Sequence, residues 1–112
     1  MKVLITGGAG YLGTVLTEEI LNRFPYAKVI VYDNLMYKQD GLFSFFKYPK
    51  DRFEFVYGDV RDKNSLLEQL QKLDKNNDYV IPLAAIVGFP ACARDEKLAT
   101  AVNFEHVKYI VQ

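Results

Sequence analysis

Four glycines mark the first stretch of the chain in which residue type and spacing could support chemistry. Residues 6–13 read TGGAGYLG and lie directly between an apolar run and a helical pattern. In such a bend Gly7 allows a tight turn, Gly10 removes a side chain that would block a pyrophosphate, and Gly13 lets the helix approach the strand closely. Glycine triplets also occur in ordinary turns, so the prediction depends mainly on the position of these glycines between a strand and a helix. The pattern predicts a phosphate-binding bend.

A helix start and a distant carboxylate complete this prediction. The helix would point free backbone N–H groups, including those of Tyr11 and Leu12, at the phosphates. Asp33 ends the second predicted strand, twenty residues after Gly13, where a carboxylate can accept hydrogen bonds from the hydroxyls of an adenosine ribose. It would repel a 2'-phosphate, which favours NAD over NADP as the cofactor. The alternative is that Asp33 only caps a turn with Asn34.

Four apolar runs have the length of strands and, apart from Glu54, are continuous, which predicts burial on both faces of most of them. They are Lys2–Ile5, Lys28–Tyr32, Phe53–Tyr57 and Tyr79–Leu83. Helical patterns between them predict a parallel sheet, and right-handed crossovers give the strand order 3-2-1-4. The predicted class is α/β, a Rossmann-like parallel sheet with flanking helices. Because only one mononucleotide-binding half and a fourth strand are present, the doubly wound fold is incomplete.

Two apolar stripes at spacings of three or four predict the helices. The first consists of Leu12, Val15, Leu16, Ile20 and Phe24, and the second of Leu66, Leu70 and Leu73. Asp62 is the predicted N-cap of the second helix, and residues 76–78 (NND) form a predicted turn before the fourth strand. Residues 34–50 follow no strict period and predict a crossover with a short helix, whose aromatic residues pack on the sheet edge.

Composition limits the classes of function. Half of the 112 residues are hydrophobic, enough for one compact domain. Fourteen basic residues balance fourteen acidic ones, which argues against nucleic acid as a partner. The longest uncharged stretch, residues 79–93, is interrupted by Pro82, Gly88 and Pro90 and is too short to cross a bilayer, so we expect no membrane partner. With no signal-peptide pattern at the start, we expect a cytoplasmic protein.

The end of the chain suggests a longer protein. A helical pattern from about Asp95 to Gln112 has no glycine or proline stop, so we expect residues 1–112 to be an amino-terminal portion that lacks the substrate-binding portion. Strand four would then have an open edge, and association through it makes a homodimer one assembly that the sequence allows. Cys92 alone can form neither an internal disulfide nor a thiolate metal cage, and no metal site is predicted.

These residues together resemble the extended short-chain dehydrogenase/reductase family, which contains nucleotide-sugar epimerases and dehydratases. The family's T-G-x-x-G-x-x-G motif is matched by residues 6–13, and the similarity continues through residues 33–35 (DNL), 58–62 (GDVRD) and 83–85 (LAA) to Asn103. Two positions depart from the family pattern. Pro82 stands where the family often has histidine, and His106-Val107 replace the small residue and threonine that commonly follow the asparagine.

The resemblance implies a set of residues that bind NAD. Asp59 would hydrogen-bond the adenine amino group beside the backbone of Val60, the turn from Leu83 would lie along the cofactor, and Asn103 would lie near it. Asp59 could instead be a turn residue, and Asn103 a solvated helix position. The full predicted set is Gly7, Gly10, Tyr11, Leu12, Gly13, Asp33, Asn34, Asp59, Val60, Leu83, Ala84, Ala85 and Asn103.

The resemblance also implies a reaction that this chain cannot complete. The family uses a Tyr-x-x-x-Lys pair, in which the lysine lowers the tyrosine pKa. Seven of the eight tyrosines here have another residue four positions later, and for Tyr109 that position lies beyond Gln112. We therefore predict no catalytic residue, an inactive fragment, and a nucleotide-sugar substrate for the full-length enzyme. The alternative is a non-catalytic dinucleotide sensor or assembly protein of the same fold. Cys92 is interpreted as a small packing residue and His106 as a solvated one.

Overall fold

A computed structural model describes residues 1–35 and 44–83. Its elements in chain order are β1 (Lys2–Thr6), α1 (Tyr11–Arg23), β2 (Lys28–Asp33), β3 (Phe53–Tyr57), α2 (Lys63–Gln71) and β4 (Tyr79–Pro82). Each predicted strand is present, with its ends within one residue of the prediction. The predictions for the helix after Asp95, for Cys92 and for His106 lie outside the described residues.

The four strands form one parallel sheet in the order β3-β2-β1-β4, as the right-handed crossovers predict. The register aligns the carboxyl ends of neighbouring strands. Thr6 at the end of β1 lies opposite Tyr32 on one side and Pro82 on the other. Asp33 at the end of β2 lies opposite Tyr57 at the end of β3. The segments that leave these strands therefore emerge along one edge of the sheet, where ligands bind in open α/β folds.

Burial differs between the central and the outer strands. In β1 and β2 almost every residue is buried, as the continuous apolar runs predict. The prediction is wrong for β3 and β4, in which most side chains are partly or fully exposed. Among the described residues each of these strands pairs on one side only, so neighbouring side chains cover less of its surface. At that rim Glu54 forms an ion pair of 2.8 Å with Lys28.

Helix α1 buries a different face from the predicted stripe. Its buried residues are Gly13, Thr17, Ile20 and Leu21. Ile20 belongs to the predicted stripe and Leu16 packs partly buried against the core, but Leu12, Val15 and Phe24 are exposed. Gly13 explains why the buried face differs from the predicted one. Only a residue without a side chain can touch the preceding bend, and this contact turns the face of α1 that carries Gly13 inward.

Helix α2 begins as the sequence predicts. The carboxylate of Asp62 accepts a hydrogen bond of 3.2 Å from the backbone N–H of Ser65, so Asp62 is the N-cap. Leu66 is fully buried, while Leu70 and Leu73 are partly buried. Neither helix in the described part of the chain has the length and apolar character needed to cross a bilayer.

Two connections between strands are held, one by short polar side chains and the other by aromatic packing. The turn before β4 is confirmed, since Asp74 accepts a hydrogen bond from the backbone N–H of Asn76, and Asp78 accepts one from that of Asp74. In the crossover between β2 and β3, Phe45 is buried with its ring centroid 5.4 Å from that of Phe53. Packing of the crossover on the sheet edge is therefore confirmed at Phe45, whereas Phe46 is 53% exposed, and residues 36–43 lie outside the described part.

Candidate functional site

The glycine bend leaves β1 through a left-handed turn. Gly7 has φ of +73°, a conformation that residues with a Cβ rarely adopt. Its backbone N–H donates a hydrogen bond of 2.8 Å to the carbonyl of Tyr32, and the N–H of Gly10 donates one of 3.3 Å to the carbonyl of Gly7. The predicted tight turn at Gly7 is thus confirmed, and the bend is tied to the end of β2.

Close packing against the bend explains a second glycine of the motif and one that the sequence analysis left without a role. A Cβ at Gly13 would stand 2.5 Å from the carbonyl oxygen of Gly8, a backbone atom that cannot move aside. A Cβ at Gly8 would stand 2.9 Å from Cγ1 of Val31, beneath the bend. Gly13 thus allows a close approach of α1, but to Gly8 in the bend and not, as predicted, to the strand itself. The doubled glycine was the available signal for Gly8.

The start of α1 presents backbone donors without a competing cap. Gly10 is the N-cap and makes no side-chain capping bond, and its carbonyl accepts the N–H of Thr14 at 2.9 Å. Geometry leaves the N–H groups of Tyr11, Leu12 and Gly13 without acceptors inside the helix. The side chains of Tyr11 and Leu12 are 85% and 62% exposed, so solvent reaches this turn. Such a turn can bind an anion, as the sequence predicts.

The carboxylate of Asp33 lies directly beside the bend. Its Oδ2 accepts a hydrogen bond of 3.0 Å from the backbone N–H of Ala9, and its Oδ1 accepts one of 2.8 Å from that of Leu35. The alternative interpretation is thus partly correct, because Asp33 does cap the turn that follows β2. It also reaches the glycine bend, which places an acid and the helix start at the same edge. Its ribose contact remains a prediction.

Asp59 is the centre of a polar cluster one strand further along this edge. Its Oδ1 accepts the backbone N–H of Arg61 at 2.9 Å, and the Arg61 guanidinium forms an ion pair with Oδ2. The amide of Asn34 donates to Oδ2 at 3.3 Å. The hydrogen bonds from Arg61 are the main reason why the pKa of Asp59 lies below its ordinary value. The carboxylate is therefore ionised at neutral pH and can act only as an acceptor.

Tyr32 contacts this cluster through a hydrogen bond to the backbone of Asp59, a role that no sequence pattern indicated. It is fully buried, and burial raises the pKa of its phenol above the ordinary value. The hydroxyl lies 2.9 Å from both the carbonyl oxygen of Asp59 and Oγ of Ser65. Because a carbonyl can only accept, Tyr32 donates its one proton to Asp59, and Ser65 can donate to the Tyr32 oxygen. The hydroxyl therefore fixes the turn that follows β3.

The other predicted residues fall into two groups. Val60 is buried next to Asp59, and the backbone N–H of Leu83 donates a hydrogen bond of 2.8 Å to the carbonyl of Thr6, which brings the end of β4 to the same edge. Ala84, Ala85 and Asn103 lie outside the described residues. Within residues 1–35 and 44–83 no group of three His, Cys, Asp or Glu side chains could hold a metal ion.

The chain is similar in sequence to enzymes that carry out several sugar-nucleotide reactions. CDP-paratose 2-epimerase of Salmonella typhi is 39% identical over 72 residues, which cover 64% of this chain and 21% of that protein. UDP-N-acetyl-alpha-D-glucosaminuronate decarboxylase of Bacillus cytotoxicus is 32% identical over 111 residues, which cover 99% of this chain and 32% of that protein.

Solved structures show the same fold. The dTDP-glucose 4,6-dehydratase of Streptomyces venezuelae, with NAD bound, superposes with a TM-score of 0.82 at 28% identity and covers 100% of this chain and 35% of that one. UDP-glucose 4-epimerase of Thermus thermophilus in complex with NAD gives 0.74 at 27% identity, with 99% and 32% covered. The chain thus spans about a fifth to a third of the length of these relatives.

A family model covers almost the entire sequence. The NAD-dependent epimerase/dehydratase family matches residues 3–112, which include the bend, Asp33 and the segment from Leu83 to Asn103. The family is defined by its dependence on NAD, the cofactor that the bend and Asp33 predict. On this match, the chain belongs to the NAD-dependent epimerase/dehydratase family.

Proposed function

We propose that this chain is the NAD-binding portion of an enzyme that epimerises or dehydrates a nucleotide sugar. The observation that carries the proposal is the hydrogen bond between the backbone N–H of Ala9 and the Asp33 carboxylate. It brings the glycine bend, the start of α1 and an acid together at the carboxyl edge of a parallel sheet. Phosphates and a ribose need these groups at neighbouring positions when one dinucleotide binds across them.

Each part of NAD has a matching group at this edge. The N–H groups of Tyr11 and Leu12 would hold the pyrophosphate, and the carboxylate of Asp33 would accept the adenosine ribose hydroxyls. Asp59 and the backbone of Val60 would receive the adenine. Gly13 supports this arrangement, because a Cβ there would collide with the backbone of Gly8 and displace the bend. Bound NAD would supply a hydride acceptor for a sugar carbon.

The reaction itself would need residues beyond this chain. Several relatives act on sugars attached to a nucleoside diphosphate, which supports a substrate of that class for the full-length protein. Without a Tyr-x-x-x-Lys pair, the 112 residues alone should show no epimerase, dehydratase or reductase turnover, and measurable turnover would contradict this. Residues 1–112 as a single amino-terminal portion, a cytoplasmic location and a homodimer remain predictions.

Cofactor selectivity tests the proposal. We expect calorimetry to show that the wild-type chain binds NAD more tightly than NADP, and that Asp33→Ala weakens NAD binding by about ten- to a hundredfold, as loss of a charge-assisted hydrogen bond of about 1.5–3 kcal/mol implies. Discrimination against NADP should fall as well. Asp51→Ala, at an exposed aspartate in the turn before β3, is the matched control. Unchanged affinities for both dinucleotides in Asp33→Ala would refute the ribose role.

A further inference from the structure

We infer that Asp33 is also a positioning residue, which holds the glycine bend and the exit of β2 in their binding geometry before any nucleotide arrives. Its two oxygens are bonded to two different loops. Oδ2 accepts the N–H of Ala9, 24 positions away in the chain, and Oδ1 accepts the N–H of Leu35. One carboxylate thereby joins the segment after β1 to the segment after β2.

Ala9 is the residue through which the bend is bonded to Asp33, whereas two other donors of the bend are bonded to backbone carbonyls. The N–H of Gly7 is bonded to the carbonyl of Tyr32, and that of Gly10 to the carbonyl of Gly7. The N–H of Ala9 finds its acceptor in Asp33, and Ala9 is almost completely buried, with 2% of its surface exposed. A buried N–H that loses its acceptor is costly, so removal of the carboxylate favours a different path of the bend.

The second loop has a backbone conformation that needs support. Leu35 has φ of +56°, in the left-handed region that residues with a side chain rarely occupy. Its side chain packs against the buried core beside the sheet. The hydrogen bond from its N–H to Oδ1 of Asp33 stabilises the turn in this conformation. Asp33 therefore sets the direction in which the chain leaves β2.

The positioning role and a ribose contact are compatible. An ionised carboxylate has about four acceptor positions, and the two backbone N–H groups use two of them. The remaining two can accept the hydroxyls of a ribose without release of either loop. An asparagine at this position has a single acceptor oxygen, and its NH₂ group would face one of the two N–H donors. Asp33→Asn preserves the size of the side chain. It therefore tests the loss of the carboxylate acceptors without a change in side-chain volume.

Amide exchange in the protein without nucleotide tests the inference directly. We expect the amide that faces the NH₂ group of the asparagine, either Ala9 or Leu35, to exchange at least about fivefold faster in Asp33→Asn, while those of Leu4 and Val31 in the central strands keep their protection. NMR-detected hydrogen exchange measures all four amides, and Asp51→Asn is the matched control. Unchanged exchange at Ala9 and Leu35, or equal acceleration at all four amides, would overturn the inference.

A nucleotide without ribose hydroxyls provides a second test, which rests on the proposed function. Wild-type and Asp33→Asn chains are compared by calorimetry with ADP and with 2',3'-dideoxyadenosine diphosphate. If Asp33 acted only on the ribose hydroxyls, the substitution would leave binding of the dideoxy nucleotide unchanged, or would strengthen it by removing a negative charge. We expect Asp33→Asn to bind the dideoxy nucleotide about threefold or more weakly than the wild type does. An unchanged or lower dissociation constant for this nucleotide would overturn the inference. Failure of the wild-type chain to bind ADP would instead contradict the proposed function, and the exchange test would still decide the positioning role.

Discussion

Gly58 lies directly against the ring of Tyr32, so that a Cβ at residue 58 would stand 2.5 Å from the phenol oxygen. The ring is fully buried and its hydroxyl is bonded to the carbonyl of Asp59, so a shift of the ring would disturb this bond. The absence of a side chain at Gly58 lets the chain turn over the ring as it leaves β3. This contact brings Asp59 beside Asn34 at the candidate adenine site.

The first prediction concerns this contact. Gly58→Ala should lower the free energy of unfolding by about 1–3 kcal/mol, since a methyl group must displace either a buried ring or the backbone. Urea denaturation of both proteins measures the loss. The same substitution in a Tyr32→Leu background serves as the control, because the smaller side chain leaves room for the methyl group. An equal cost in both backgrounds would show that the ring is not the cause.

The contrast between Gly7 and Tyr32 shows how far the sequence alone leads. Gly7 belongs to a local pattern, because a strand, a bend and a helix follow one another within a few residues, and each leaves its own signature of spacing. The strands, their order and the tight turn at Gly7 could therefore be predicted. Tyr32 looks like one more apolar residue of a buried strand. Its hydroxyl matters through Asp59 and Ser65, which lie 27 and 33 positions away, and a local pattern cannot show that pairing.

The orientation of α1 was not predictable for a related reason. Leu12 and Val15 have the spacing of a buried stripe, yet both are exposed. Hydrophobic periodicity ranks faces by their apolar content, whereas here the close approach of Gly13 to Gly8 decides which face turns inward. A face chosen by shape rather than by hydrophobicity leaves only a weak signal in the sequence.

This orientation gives the second prediction. In a helix, replacement of glycine by alanine ordinarily stabilises by about 0.5–1 kcal/mol. Gly13→Ala should do the opposite and lower both the melting temperature and the affinity for NAD, because its Cβ would meet the carbonyl oxygen of Gly8. Val15→Ala, at an exposed position of the same helix, is the control and should leave NAD affinity unchanged. A more stable Gly13→Ala protein with unchanged affinity would show that α1 does not depend on this approach.

The third prediction concerns acid. Hydrogen bonds from Arg61 lower the pKa of Asp59 in the folded protein, so the ionised form of this carboxylate favours folding above the ordinary aspartate pKa of about 4. That contribution is lost as the pH falls through the folded-state pKa. Arg61→Ala should therefore raise the pKa of Asp59 towards its ordinary value. The part of the pH dependence of the free energy of unfolding that is due to Asp59 should then become smaller.

Titration of the Asp59 carboxyl carbon by NMR, together with urea denaturation between about pH 2 and pH 5, measures both effects. Arg23→Ala is the matched control, because Arg23 forms an exposed ion pair with Glu19 on the surface of α1 and should leave Asp59 unchanged. If Asp59 titrates at the same pH in Arg61→Ala and in the wild type, Arg61 does not set its pKa.

The last prediction concerns the carboxyl-terminal end of α1, which has no glycine to terminate it. The guanidinium of Arg52 closes it instead, with Nε 2.9 Å from the carbonyl oxygen of Ala27 and Nη2 2.8 Å from that of Leu21 and 3.2 Å from that of Phe24. A positive charge is also favourable at this end of a helix. Arg52→Met retains much of the apolar stem but removes every donor, and should lower the free energy of unfolding by about 1–3 kcal/mol.

Two further variants separate charge from geometry at this position. Arg52→Lys retains the charge but cannot bond carbonyls from three residues with one planar group, so we expect a stability between those of Arg52→Met and the wild type. Arg23→Met, at an exposed arginine of the same helix, should change the free energy of unfolding by less than about 1 kcal/mol. Urea denaturation of all four proteins under identical conditions supplies the comparison. Wild-type stability in Arg52→Lys would mean that the charge alone terminates α1, and that the planar arrangement of donors contributes nothing.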